Sequence, residues 1–234
     1  MYSKVLLKLS GEALGSKDNV FSFETMENAV MEIKELVDNN VQVGIVVGGG
    51  NMVRGKTLSK IGFDRCEADH MGMLATVLNA MALSACLRKN GVKAIAMSAL
   101  DVEGVEKADV KKARELLNEG YVIVFGGGIG NPYFSTDTTV ALRAIEMGAE
   151  VILMAKNGVD GVYDSDPDNN PNAKRFDELS FDDILNMNLK VMDMTAASLC
   201  RDNGIDALVF DMGVKGNILK AAKSEAVCTV VKSH

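Results

Sequence analysis

This chain has little from which to build a metal cage or a disulfide framework. Its four cysteines, Cys66, Cys86, Cys200 and Cys228, form no C-x-x-C pair. Only His70 and His234 could join them, so zinc-ligand spacing is absent and no protein-held metal site is expected. Scattered cysteines of this kind read as buried thiols in a reducing compartment. An excess of positive charge is missing too. Twenty-five basic side chains stand against 32 acidic ones, a net charge of −7. A general nucleic-acid or membrane surface needs a basic footprint, so neither partner is expected. Any phosphorylated ligand must then be held by local donors. Long apolar runs are also lacking. Val5–Leu9 is interrupted by Lys8 and is too short for a signal peptide, and no later stretch reads as long enough to span a bilayer. The cytoplasm is the expected compartment. There is no internal repeat and no low-complexity linker.

What the chain does have is a 47% hydrophobic composition over 234 residues, enough for one large α/β domain or two closely joined lobes. Apolar runs of strand length recur at Val5–Leu9, Val41–Val47, Ala94–Met97, Tyr121–Phe125, Val151–Met154 and Ala207–Phe210. Between them Met26, Val30, Ile33 and Val37 keep helical spacing. So do Leu74, Val77, Leu78 and Met81 in a Met-rich stretch from about Glu67 to Lys89. This alternation predicts an α/β fold, a three-layer αβα sandwich around a mainly parallel sheet. Val227–Lys232 reads as a last strand, its Lys and Ser tail placing it at an edge. Asp164–Asp177, with Asp166-Pro167 and Asn170-Pro171, reads as a loop. A soft boundary near Ala149 divides the single domain, 1–234, into lobes of roughly 1–149 and 150–234.

Ligands on open α/β sheets bind beyond the carboxyl ends of the strands, and four such ends are unusual here. They are Lys8-Leu9-Ser10-Gly11-Glu12, Gly48-Gly49-Gly50-Asn51 with Arg54-Gly55, Gly126–Pro132 running into Ser135-Thr136-Asp137, and Lys156–Tyr163. Glycine lets backbone N–H groups approach an anion, and a following helix start adds a favourable dipole. Tight turns would use glycine as well. Four loops together, each with a charged residue, favour a phosphate site. Gly50–Thr57 also satisfies G-x-x-x-x-G-K-[ST]. A P-loop is nevertheless rejected, because no partner strand ends in a suitable aspartate and Gly62 interrupts the expected helix soon after Thr57.

Taken in order, several segments resemble the bacterial uridylate kinases of the amino-acid-kinase family, over Lys4 to about Val231. They are Leu7–Leu14, Gly48–Asn51 with Arg54-Gly55, Asp69-His70-Met71-Gly72-Met73, Gly130–Asp137, Val159–Tyr163 with Asp166-Pro167, and Leu189–Asp193. The resemblance implies a carbamate-kinase-like fold and magnesium- and ATP-dependent phosphorylation of UMP to UDP. It also implies a first lobe for UMP and a second for ATP.

By that resemblance Lys8 bridges donor and acceptor phosphates and offsets charge growing on the transferred group. Asp137 and Asp193 are the carboxylates placed near it. Each also precedes a helical pattern and could act as an N-cap. ATP contacts fall to Lys8, Leu9, Ser10, Gly11, Gly50, Arg54, Asn157, Tyr163 and Asp166. UMP contacts fall to Gly49, Arg54, Asp69, Ile129, Gly130, Asn131, Pro132, Tyr133, Phe134, Ser135 and Thr136. Arg54 suits the UMP phosphate because its planar fork matches phosphate oxygens, and Asp69 the ribose hydroxyls. His70 reads as a hydrogen-bonded helix residue. Mg2+ enters with ATP, held by phosphates and waters. The resemblance further implies a homohexamer, inhibition by UTP and GTP as an effector. Two departures stand out. Ile129 replaces a threonine common in relatives, which opens the question of base selectivity. Gly15–Phe23 lacks their glycine-rich character, which argues for weak or absent GTP activation. Other readings remain open: a kinase of this fold acting on a carboxylate or carbamate, a different nucleoside monophosphate as acceptor, or a uridine-nucleotide-binding regulatory protein without turnover.

Overall fold

The computed structural model describes residues 1–234 except 17, 54–57, 59, 60, 168 and 190. Arg54, Lys56 and Thr57, singled out above, lie outside the described residues. The chain begins with strand β1 (Lys4–Leu9), a 3-10 turn and helix α1 (Phe23–Asp38). There follow β2 (Gln42–Val47), α2 (Arg65–Lys89), β3 (Ala94–Ser98), β4 (Glu106–Lys107), α3 (Val110–Asn118), β5 (Val122–Gly126) and α4 (Thr136–Met147). Next come β6 (Val151–Lys156), β7 (Val162–Tyr163), β8 (Arg175–Phe176), β9 (Glu178–Ser180), α5 (Phe181–Met187) and α6 (Met194–Asp202). The chain closes with β10 (Asp206–Asp211), α7 (Asn217–Ala222) and β11 (Cys228–Lys232).

Nine strands form one sheet in the order β4-β3-β5-β2-β1-β6-β10-β11-β9. All its pairings are parallel except β10 with β11. The central strands β1, β2, β5, β6 and β10 have two buried faces, so both alternating sets of their side chains are largely apolar. Val5, Leu7, Leu9, Leu153 and Phe210 pack beneath α1, α2 and α7. Leu6, Ile152, Met154 and Val209 pack beneath α3, α4, α5 and α6. This is the expected αβα sandwich. Full burial of one such Leu or Ile contributes about 1.5–3 kcal/mol, so the sheet centre is the rigid part of the molecule.

Three expectations need correction. β11 is not an edge strand: β9 pairs along its outer side, Val230 opposite Glu178. Its polar tail is satisfied within the fold, with Lys232 paired to Asp206 at 3.1 Å and Ser233 N donating to Asp206 at 2.9 Å. The Asp164–Asp177 loop contains β8, which pairs with β7 as a hairpin, Val162 opposite Phe176. Two-residue strands are too short to leave a period in the sequence. Finally, α2 is long and apolar enough to cross a bilayer by length and composition. However, 56% of its most apolar window is buried in the fold, and Thr76, Asn79 and Ser84 on it are buried polar residues.

Candidate functional site

The four glycine-bearing loops lie far apart in sequence, yet they follow β1, β2, β5 and β6, which are neighbours in the sheet. Between β1 and β6 the direction of winding reverses, with β2 and β5 on one side and β10 on the other. A crevice at such a reversal is where open α/β sheets bind ligands.

Lys8 and Asp137 meet in this crevice as a largely buried ion pair. Asp137 reaches Lys8 because α4 starts beside it. Ser135, not Asp137, caps that helix, its Oγ accepting from Asp137 N at 2.9 Å and Thr138 N at 3.2 Å. The capping alternative for Asp137 is therefore replaced by Ser135, and the carboxylate is left to the lysine. Asp193 does cap α6, accepting from Ala196 N at 2.9 Å. It also accepts from Ser135 Oγ and from Thr138 Oγ1 at 3.0 Å, which ties the first turn of α4 to that of α6. Beneath them Cys200 on α6 is buried. Burial, and then the negative charges of Asp137 and Asp193, push its thiol up to about 12, so it stays neutral.

Two cavities meet beside this pair. The larger, roughly 880 Å³, is lined by Gly49, Gly50, Arg65, Asp69, Gly72, Met73, Tyr133, Phe134, Ser135 and Thr136, among others. The smaller, roughly 430 Å³, is lined by Lys8, Leu9, Ser10, Gly11, Gly49, Gly50, Ser135, Thr136 and Asp137. Gly49, Gly50, Ser135 and Thr136 belong to both, so the two spaces lie side by side. The glycines divide by role. A Cβ on Gly11 would lie 2.7 Å from the Gly50 nitrogen, and one on Gly49 would lie 2.9 Å from the Gly72 oxygen, so packing alone demands them. Beside Gly50 and Gly72 the space is open. Both face the larger cavity, and Gly72 costs its helix about 0.5–1 kcal/mol relative to alanine.

Asp69 sits in the wall of the larger cavity, and two donors meet on its Oδ2: Tyr133 N at 2.8 Å and Arg65 Nε at 2.7 Å. Tyr133 is held there at φ 71°, a left-handed conformation that is costly for a bulky residue. The Asp69 carboxylate thus anchors the Tyr133–Phe134 turn over the cavity. His70 Nδ1 lies 2.7 Å from the Cys66 carbonyl within its own helix, as expected of a structural histidine. Ile129, Gly130, Asn131 and Pro132 occupy the turn after β5 but are not among the lining residues of the larger cavity.

The residues expected for ATP are less gathered. Ser10 and Asn157 line a third cavity of roughly 550 Å³ with Glu12, Glu32, Met212, Gly213 and Lys215. Tyr163 and Asp166 are not among its lining residues. Tyr163 Oη donates to Asp160 at 2.7 Å, and Asp166 accepts from Asn169 Nδ2 at 2.6 Å.

Four residues that sequence patterns left unassigned support the site. Asn79 donates to the Gly48 carbonyl at 2.6 Å and to Asn51 at 2.8 Å. Thr76 Oγ1 accepts from Gly127 N at 2.8 Å. Two buried polar residues of α2 therefore hold two of the glycine loops, and their one signal is a polar side chain inside an apolar stripe. Lys156 and Asp211 end β6 and β10 opposite each other. Their signal is a charge at the last position of a strand face that is otherwise apolar.

The amino acid kinase family model matches residues 3–211. Among solved structures, the UMP kinase from Ureaplasma parvum is 36% identical, with a TM-score of 0.94 over 99% of both chains. The UMP kinase from Bacillus anthracis is 37% identical, with a TM-score of 0.96 over 99% of this chain and 96% of that one. The uridylate kinase from Archaeoglobus fulgidus is 31% identical, with a TM-score of 0.73 over 99% of this chain and 100% of that one. With a family model over most of its length and solved relatives matched from end to end, this chain belongs to the amino acid kinase family.

Proposed function

We propose that this chain transfers the γ-phosphoryl group of ATP to UMP, giving UDP and ADP. The observation that carries this reading is the junction of two cavities at Gly49, Gly50, Ser135 and Thr136, with the Lys8–Asp137 pair beside it. The likeness to solved UMP kinases supports it. The larger cavity takes UMP, with its sugar toward Asp69 and its phosphate toward Gly50 and Arg54. The smaller holds the phosphates of ATP over Ser10 and Gly11, and Asn157, Tyr163 and Asp166 serve the nucleoside end. Residues 1–149 thus supply the acceptor side and the loops for the donor phosphates, and 150–234 the nucleoside end of the donor.

Phosphoryl transfer asks for positioning and charge neutralisation more than covalent help. Lys8 extends from the rigid end of β1 and neutralises the oxygens of the group in flight. Asp137 holds its ammonium in place, and Asp193 fixes the start of α4 that bears Asp137. Among the described residues no group of three His, Cys, Asp or Glu side chains is arranged to hold a metal ion. Asp137 and Asp193 are already engaged, by Lys8 and by Ser135 and Thr138 respectively. Magnesium would then arrive on ATP, held by its phosphates and by waters, and would supply further charge neutralisation beside Lys8.

We expect the reaction to serve pyrimidine nucleotide synthesis, in the cytoplasm. Met71, Leu74, Leu78 and Met81 form an exposed stripe along α2, and their three- and four-residue spacing suits helix–helix packing between copies. This supports self-association, with a homohexamer as the expected assembly. UTP is the expected inhibitor, and GTP activation is expected to be weak, given Gly15–Phe23. Sedimentation measures the first, and initial rates at sub-saturating ATP measure the others.

The test is magnesium-dependent ADP release with UMP, CMP, dUMP, dTMP, AMP and GMP in turn. Turnover mainly with UMP is expected. Preference for another acceptor would move the substrate, and tight UMP binding without any turnover would leave a nucleotide-binding regulator.

A further inference from the structure

β1 and β6 are adjacent and parallel, with Lys8 opposite Met154. Lys156 is therefore the next residue on the same face of β6, one step further toward the crevice. It continues Ile152 and Met154, which pack beneath the helices on that face. A lysine in this place has no obvious use in a core. Its Nζ donates to the Val191 carbonyl at 3.2 Å, two residues before Asp193 in the turn that leads into α6.

Lys8 on β1 repels it and Asp137 on α4 attracts it, while Asp211 is its register neighbour on β10 and Asp193 begins α6 just after its acceptor Val191. Asp193 is committed to Ala196 N, Ser135 and Thr138. Asp211 is committed to Gly158 N at 2.9 Å and Gly213 N at 2.7 Å. Two ammonium groups thus share chiefly one carboxylate, Asp137. Burial first, and then Lys8, pull the Lys156 ammonium below the ordinary lysine range, while Asp137 opposes them. Such an arrangement suits a site that awaits phosphate charge.

We infer that Lys156 is a positioning residue of the transfer centre: anchored on the Val191 carbonyl, its charge presses the Lys8 ammonium toward the phosphates and seats the turn that carries Asp193. The inference rests on the placement of phosphoryl transfer at Lys8 and Asp137. Incoming phosphates relieve the crowding of the two cations, so the protonated form of Lys156 is the one that favours nucleotide. Because its protonation is weakened in the free protein, kcat/KM falls as pH rises through a value below the ordinary lysine range. Cys200, pushed up to about 12, stays neutral over that span and does not contribute.

The test compares wild type, Lys156→Met and Lys156→Arg by the pH profile of kcat/KM and by thermal melting. Lys156→Met is expected to lower kcat/KM at neutral pH by about 10- to 100-fold and to lose the basic limb, with a melting temperature unchanged or raised, since it removes a buried charge. Lys156→Arg keeps a permanent charge and is expected to recover most of the rate without the basic limb. A wild-type profile in Lys156→Met would overturn the inference, as would a loss of rate with the basic limb intact and a lowered melting temperature. Lys8→Ala separates the two levels. If it retains turnover, the placement of the transfer centre fails; if it is inactive while Lys156→Met behaves as wild type, only the role of Lys156 fails.

Discussion

The two faces of β1, β6 and β10 differ at the carboxyl ends of the strands. Beneath α1, α2 and α7 the apolar alternation runs to the last residue, ending on Leu9, Ala155 and Phe210. Beneath α4 and α6 the buried Leu6, Met154 and Val209 give way at the final position to Lys8, Lys156 and Asp211. Both faces are anchored by the same strands, so the charged ends inherit the rigidity of the core. One face is built for stability throughout, while the other changes to chemistry within one residue.

Substitutions at the two kinds of strand end sharpen that contrast. Lys8→Ala is expected to cost at least about 10³-fold in kcat, because it removes the main local cation of the transfer, while UMP affinity by calorimetry changes little. Lys56→Ala, in the sequence that mimics a P-loop, is expected to stay within a few-fold of wild type. The reverse pattern in steady-state kinetics would break the comparison. Asp137→Asn should lower kcat by about 10²- to 10³-fold without unfolding α4, since Ser135 provides the cap. On the other face Leu7→Ala, at a fully buried position away from the cavities, should do the opposite. Chemical denaturation should show a loss of about 2–5 kcal/mol, with kcat per folded molecule nearly preserved. Asn79→Ala lies between these cases. It leaves the Gly48 carbonyl without its donor and should cost about 1–3 kcal/mol of stability, together with a raised KM for UMP. The smallest effect is expected for Ile129→Thr, a few-fold change in the ratio of UMP to CMP turnover.

Much of this was legible in the sequence for a simple reason. The strands of the central sheet are long enough to show their period, and the segments Leu7–Leu14, Asp69–Met73 and Gly130–Asp137 carry distinctive local chemistry. Sequence spacing does not reveal which strand lies beside which. That β5, β2, β1 and β6 are neighbours is a long-range fact, and it alone brings Lys8 to Asp137. Lys156 was visible only as the first residue of a loop, because its significance depends on the strand next to it. Thr76 and Asn79 were masked by the methionines around them. β11 looked like an edge because its polar tail suggested solvent, whereas Asp206 receives it. Tyr163 and Asp166 matched a family pattern, yet they lie in a hairpin whose short strands left no signal of their own.

The most direct test of the account is the identity of the product formed from UMP and ATP labelled at the γ-phosphate. Wild type is expected to place the label in the β-phosphate of UDP, and Lys8→Ala to form no labelled UDP under the same conditions. Label released as inorganic phosphate with no UDP, or labelled UDP formed equally well by Lys8→Ala, would contradict it.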